Sequence, residues 1–143
     1  MRNCLMPIPR PAGVSALSAF FLFGATMAGV AGLSLALPGG FMEPLWMINP
    51  RGRAGLGALG VAGIVLMATV STACLAAAIG LWRGRNWGRR AAMIIVVVNA
   101  AGDLLNVWLA HDPRTLIGLP IAGAMPFYLC LARVRAFFAG RVD

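Results

Sequence analysis

Residues 14–37 read VSALSAFFLFGATMAGVAGLSLAL, a run without one charged side chain inside an uncharged stretch from Pro11 to Met42. A helix rises about 1.5 Å per residue and the hydrocarbon of a bilayer is about 30 Å thick, so this segment is long enough to cross it. Working outward and cutting at each charge isolates three further segments, because a charge at mid-membrane costs roughly 2.5–3.5 kcal/mol on insertion scales. They are residues 54–82, residues 91–110, interrupted only by Asp103, and residues 114–132. The expected fold is an all-α membrane protein: four transmembrane helices forming two antiparallel hairpins in a single domain over residues 1–143.

Composition agrees. Of the 143 residues, 60% are hydrophobic and 11% charged, and mean hydropathy is +0.84. Soluble domains carry about 25% charged residues, so a water-soluble globule is excluded. All 12 basic residues are arginines, and they lie between the apolar spans rather than along one face with interleaved aromatics. That placement fits the positive-inside rule and not nucleic-acid recognition, and no nucleic-acid partner is expected. Nine arginines fall on the N-terminal tail, the middle loop and the C-terminal tail, against Arg51, Arg53 and Arg114 on the other side. Both termini and the middle loop are therefore expected in the cytoplasm.

The apolar run of residues 14–37 exceeds the 7–15 residues of a signal-peptide core and is not followed by a small-residue cleavage site, so an uncleaved signal anchor is expected. Cys4 precedes that run, which does not fit a lipoprotein anchor. Cys4, Cys74 and Cys130 are too sparse for a disulfide framework or a Cys-x-x-Cys pair. His111 is the sole histidine, which excludes bis-histidine haem ligation and a histidine-rich zinc site. Phosphate loops are absent too, and no catalytic residue, metal or cofactor is expected.

The long first outer loop is apolar, with Phe41, Met42, Leu45, Trp46, Met47 and Ile48 close together. It is expected to lie in the membrane interface, with a short helical turn from Glu43–Pro44 and Trp46 at headgroup depth; a lid over an outward cavity is the functional alternative. Asn49-Pro50-Arg51 and Asp112-Pro113-Arg114 echo each other: a capping side chain, then proline at the first helical position. Such an echo arises from a duplicated hairpin, from chance in a chain rich in glycine and leucine, or from shared packing needs.

Gly24, Ala28, Gly32 and Ala36 recur every four residues, as do Ala68, Thr72, Ala76 and Gly80. Small residues let helix backbones approach in lipid, so these faces are expected to meet, the rival being a homodimer seam. Pro120 and Pro126, beside Gly118 and Gly123, are expected to bend or break the fourth helix, either to shape packing or as a hinge.

The chemistry-bearing residues are few. Asn99, Asp103 and Asn106 are spaced by four and three, so on a helix they share a face with Ala92, Val96 and Ala110. Asp103 would lie on the order of 10 Å inside the outer end. An ionisable group at that depth faces protein or water. It is either a structural latch, bonded to Asn106, Thr69, Ser71 or a carbonyl freed by Pro120, or a proton or cation site within reach of Arg114. His111, Asp112 and Arg114 otherwise read as a solvated turn. At the inner surface residues 81–90, LWRGRNWGRR, form an interfacial anchor: Trp82 and Trp87 at headgroup depth, Arg83, Arg85, Arg89 and Arg90 among anionic lipid headgroups. Arg133, Arg135, Phe137 and Phe138 repeat that chemistry after the fourth span.

The tryptophan-arginine turn, the helix bearing Asn and Asp, the stretch HDPRTLIGLPIAG and the ending VRAFF resemble a group of short, uncharacterised bacterial four-span inner-membrane proteins. The resemblance covers roughly residues 80–138 and implies architecture without an activity or catalytic residues. Two functions stay open. One is an interaction or accessory subunit that packs against itself or a larger membrane protein; the other is a small transporter or channel-like protein using Asp103. A membrane enzyme is the more distant third.

Overall fold

The computed structural model describes residues 10–40, 43–110 and 118–139. Among them 88% are helical and no strand is present. Six α-helices follow in chain order: α1 Ala12–Ala36, α2 Pro50–Ala58, α3 Val61–Trp82, α4 Asn86–Ala110, α5 Gly118–Cys130 and α6 Ala132–Ala139. A 3-10 turn, Glu43–Met47, lies between α1 and α2.

Both α1 and α3 are long and apolar enough to cross a bilayer, and only 28% of each apolar window is buried within the protein. Phe20, Phe23, Met27 and Leu33 of α1 and Val65, Val70, Leu75 and Ile79 of α3 are exposed. Apolar side chains facing outward on helices of this length require lipid as solvent, and the chain is a membrane protein. The pair formed by residues 120–130 and α6 makes a third candidate if its two pieces count as one broken span.

The chain divides into two compact units: Phe20–Leu75, and Met1–Ala19 together with Ala76–Asp143. In the first, α1 meets α3 through glycines. A β-carbon added at Gly32 would lie 3.2 Å from Met67 Cβ, and one at Gly29 3.2 Å from Ser71 Oγ. Ser71 Oγ donates to the Ala25 carbonyl at 2.8 Å. The expected four-residue stripe on α3 is corrected here, because Ala68 and Thr72 are exposed and Met67, Ser71 and Cys74 face α1 instead. A helix made smooth by Gly29 and Gly32 is filled best by side chains, and two small-residue faces laid together would leave a gap.

The 3-10 turn forms where Glu43–Pro44 places it. Gly39 N–H donates to Glu43 Oε2 at 2.7 Å, Arg53 pairs with Glu43, and Trp46 Nε1 donates to Ser34 Oγ at 2.8 Å. Asn49 caps α2 as its sequence predicts, its Oδ1 accepting from Gly52 N–H at 2.9 Å with Pro50 first in the helix. The counterpart at Asp112 lies outside the described residues. No residue of α2 is buried, and Gly60, at φ +54°, separates it from α3. The apolar helix therefore begins at Val61, not at residue 54.

In the second unit α3 ends at Trp82 and is closed by Gly84, φ +68°, where Gly84 N–H donates to Leu81 O and Arg85 N–H to Gly80 O. This paired closure satisfies the last-turn carbonyls and reverses the chain into α4. There Gly80 and Gly88 touch: a β-carbon on Gly80 would sit 2.5 Å from Gly88 Cα. The bend expected at the prolines is displaced. Pro120 sits in the first turn of α5, where a missing N–H is no loss, and the 57° break falls at Leu131, beyond Pro126. Past it α6 buries Val134, Phe137 and Phe138, the two rings packed edge to face with centroids 5.2 Å apart. Phe137 and Phe138 thus belong to the core of this unit, not to a lipid anchor, because the break lays the apolar face of α6 on the protein.

Candidate functional site

Helical spacing puts the polar residues of α4 on one flank. Ala92 and Val96 are buried, and one turn further Asn99 is exposed while Asp103 is half-buried. Asn106 continues the flank by its place in α4; Arg114, the expected partner of Asp103, lies outside the described residues with His111 and Asp112. Among the described residues Asp103 has no hydrogen bond or ion pair. The hydroxyls that sequence offered it are committed elsewhere: Thr69 Oγ1 donates to Val65 O, and Ser71 Oγ to Ala25 O, both at 2.8 Å. The face can thus offer one carboxyl and an amide to a hydrogen-bonding partner.

The residues of the tryptophan-arginine turn separate into different roles. Arg83, Arg85, Arg90 and Trp82 are exposed, as an interfacial anchor requires, and Trp87 rests its ring against Gly80. Arg89 turns inward: Nη1 donates to the Leu129 carbonyl and Nε to Asn86 Oδ1, each at 3.2 Å. Arg10, counted from sequence only for topology, donates through Nη2 to the carbonyls of Leu81 and Trp82 at 3.3 and 2.9 Å. Its guanidinium lies 4.5 Å from the centre of the Trp82 ring. Arg10 and Arg89 thereby cover the last carbonyls of α3 and α5, where the partial negative charge of a helix end favours a cation.

Sequence reasoning missed both caps, since each joins residues 40 or more apart. It missed Ser18 as well, a buried hydroxyl that donates to Ala78 O at 2.8 Å. The Gly80–Gly88 approach did leave a signal, because the two glycines stand four residues either side of the turn glycine Gly84.

Beside Arg89 lies a groove of about 510 Å³ lined by Asn86, Arg89 and Arg90 of α4 and by Ala132, Arg135, Ala136 and Ala139 of α6. The break at Leu131 turns α6 so that Arg135 joins the two arginines of α4, and the alanines leave the space open. Three guanidinium groups with no carboxylate among the lining residues can hold an anion. Among the described residues, no three His, Cys, Asp or Glu side chains gather as metal ligands. Compared with protein families, curated proteins and solved structures, the chain matches none.

Proposed function

We propose that this protein is an interaction or accessory subunit of the bacterial inner membrane, with four spans and both termini cytoplasmic, and that α4 carries its docking face. The observation that carries the reading is Asn99, an exposed primary amide in an otherwise apolar stretch of α4. In hydrocarbon such a group gains about 0.6–2 kcal/mol from a hydrogen bond to a second helix, and leaving it bare is costly. Half-buried Asp103, one turn away, extends the same flank. The partner is a second copy or a larger membrane protein. In this topology α5 belongs to the fourth span, and α6 lies at the cytoplasmic surface. The resemblance to short bacterial four-span proteins favours the same arrangement.

The test is assembly in mild detergent. Wild type should elute as a complex, with itself or with co-purified protein, and Asn99→Leu should release it while helix content is retained. A wild-type protein that is monomeric and alone, or a complex indifferent to Asn99→Leu, would overturn the proposal. Asp103→Asn probes the transport alternative: if it rescues a deletion phenotype in full, no charge needs to cycle at that position.

A further inference from the structure

The groove between the start of α4 and α6 has features that generic membrane anchoring does not need, and it lies apart from the polar flank of α4. Anchoring requires only that guanidinium groups be free to extend outward, and Arg83 and Arg85 are exposed. Here three arginines from two helices line one concavity of about 510 Å³. Arg89 is held by Leu129 O and Asn86 Oδ1, so part of its ordering cost is met before any ligand arrives. Asn86 opens α4, so the positive end of that helix adds to the field. The facing wall is Ala132, Ala136 and Ala139, which fills little of the space. Buried Val134, Phe137 and Phe138 fix α6 from behind and hold Arg135 towards α4.

We infer that this groove is a binding site for a phosphate-bearing anion, with Arg89, Arg90 and Arg135 as its ligands. Planar guanidinium groups match phosphate oxygens in pairs, and three of them suit a group carrying one to two negative charges better than a carboxylate. The chemistry is shared by two sources, an anionic phospholipid headgroup and a soluble phosphate ester. Basic pockets beside membrane helices hold phosphate headgroups in this manner. The inference does not rest on the docking role of α4, and the two fail separately.

The experiment compares Arg90→Gln/Arg135→Gln with Arg83→Gln/Arg85→Gln, which removes the same charge outside the groove. Each purified protein is titrated with detergent-solubilised phosphatidylglycerol or cardiolipin and, separately, with inorganic phosphate and glycerol phosphate. Retained ligand is read by native mass spectrometry and by thermal shift. A site predicts saturable binding near one ligand per chain, weakened at least about tenfold in the groove variant and little changed in the comparison variant. Retention of lipid alone assigns the headgroup as ligand; competition by soluble phosphates at equal concentration assigns the free ester. Equal loss in both variants, or no saturation with any of these ligands, would overturn the site. Should the groove variant fold poorly, Arg135→Lys keeps the charge and removes paired hydrogen bonding, and unchanged affinity in it would equally refute the geometry.

Discussion

Leu81, Leu129, Val134 and Phe138 of the unit built around α4, α5 and α6 are almost wholly withdrawn from the surface, whereas among the described residues of Phe20–Leu75 the buried core side chains are Phe21, Ala25 and Cys74 alone. The α4–α6 unit gathers arginines, an amphipathic α6 and two carbonyl caps. Phe20–Leu75 joins α1 and α3 by glycine contact and the Ser71–Ala25 hydrogen bond. Lipid is as apolar as leucine and gives two helices no hydrophobic reason to associate, so close backbones and a few polar bonds must hold them. Where helices end and water returns, burial of aromatic rings regains its value. The two units are therefore held by different contacts, and substitutions should act on them by different mechanisms.

The largest effect belongs to the aromatic core. Phe138→Ala should destabilise the protein by about 3–5 kcal/mol, because it opens a cavity behind α6 and frees Arg135 from its place. Phe23→Ala, at an exposed α1 position, should cost far less. Thermal unfolding in detergent would decide; equal losses would mean that α6 has no core of its own and that the contrast between the units is empty.

Gly32→Leu sharpens the other side of the comparison. Its β-carbon would lie 3.2 Å from Met67 Cβ, so α1 and α3 must separate, at about 1–3 kcal/mol. Gly102→Ala on α4 meets nothing within 4 Å and should be neutral or slightly stabilising, since it removes only the entropic cost of glycine in a helix. Unchanged thermal stability for Gly32→Leu would remove backbone approach as the bond between α1 and α3.

These contrasts also mark what the sequence could disclose. The apolar segments placed α1 to within two residues at either end, and the Asn49–Pro50 and Glu43–Pro44 signals located a cap and a turn, because all of these are set by neighbours along the chain. The packing stripe of α3 was misread from small-residue spacing, since what fills a glycine groove depends on the opposite helix. The second span lost residues 54–60 to α2 and its turn because a single glycine at positive φ outweighed continuous apolarity. On α4 the spacing of Asn99, Asp103 and Asn106 was legible, yet exposure of Asn99 depends on what packs beside it. The capping roles of Arg10 and Arg89 and the whole α4–α6 groove require knowledge of where the chain returns, which the charge count alone does not contain.

The smallest effect lies in the loop that joins α1 to α2. The Gly39 N–H, and after it the Arg53 guanidinium, favour the ionised form of Glu43 and hold its carboxyl below the ordinary carboxylate range. A depressed pKa in the folded state means that these contacts contribute fully above the unfolded value and are lost as pH falls through the lowered one. The group is exposed, so salt and water screen the pair, and the global melting temperature should scarcely move. The local arrangement should respond instead, because Glu43 opens the 3-10 turn that presents Met47 and Ile48, 82% and 86% exposed, and places Trp46 against Ser34. In a variant keeping Trp46 as its one tryptophan, lowering the pH from about 6 to about 3 should shift its emission and its quenching by a bilayer-located probe. Glu43→Gln should show the low-pH behaviour throughout. If wild type and Glu43→Gln give the same flat profile, the carboxylate does not hold the loop, and the Trp46–Ser34 hydrogen bond suffices to fix it.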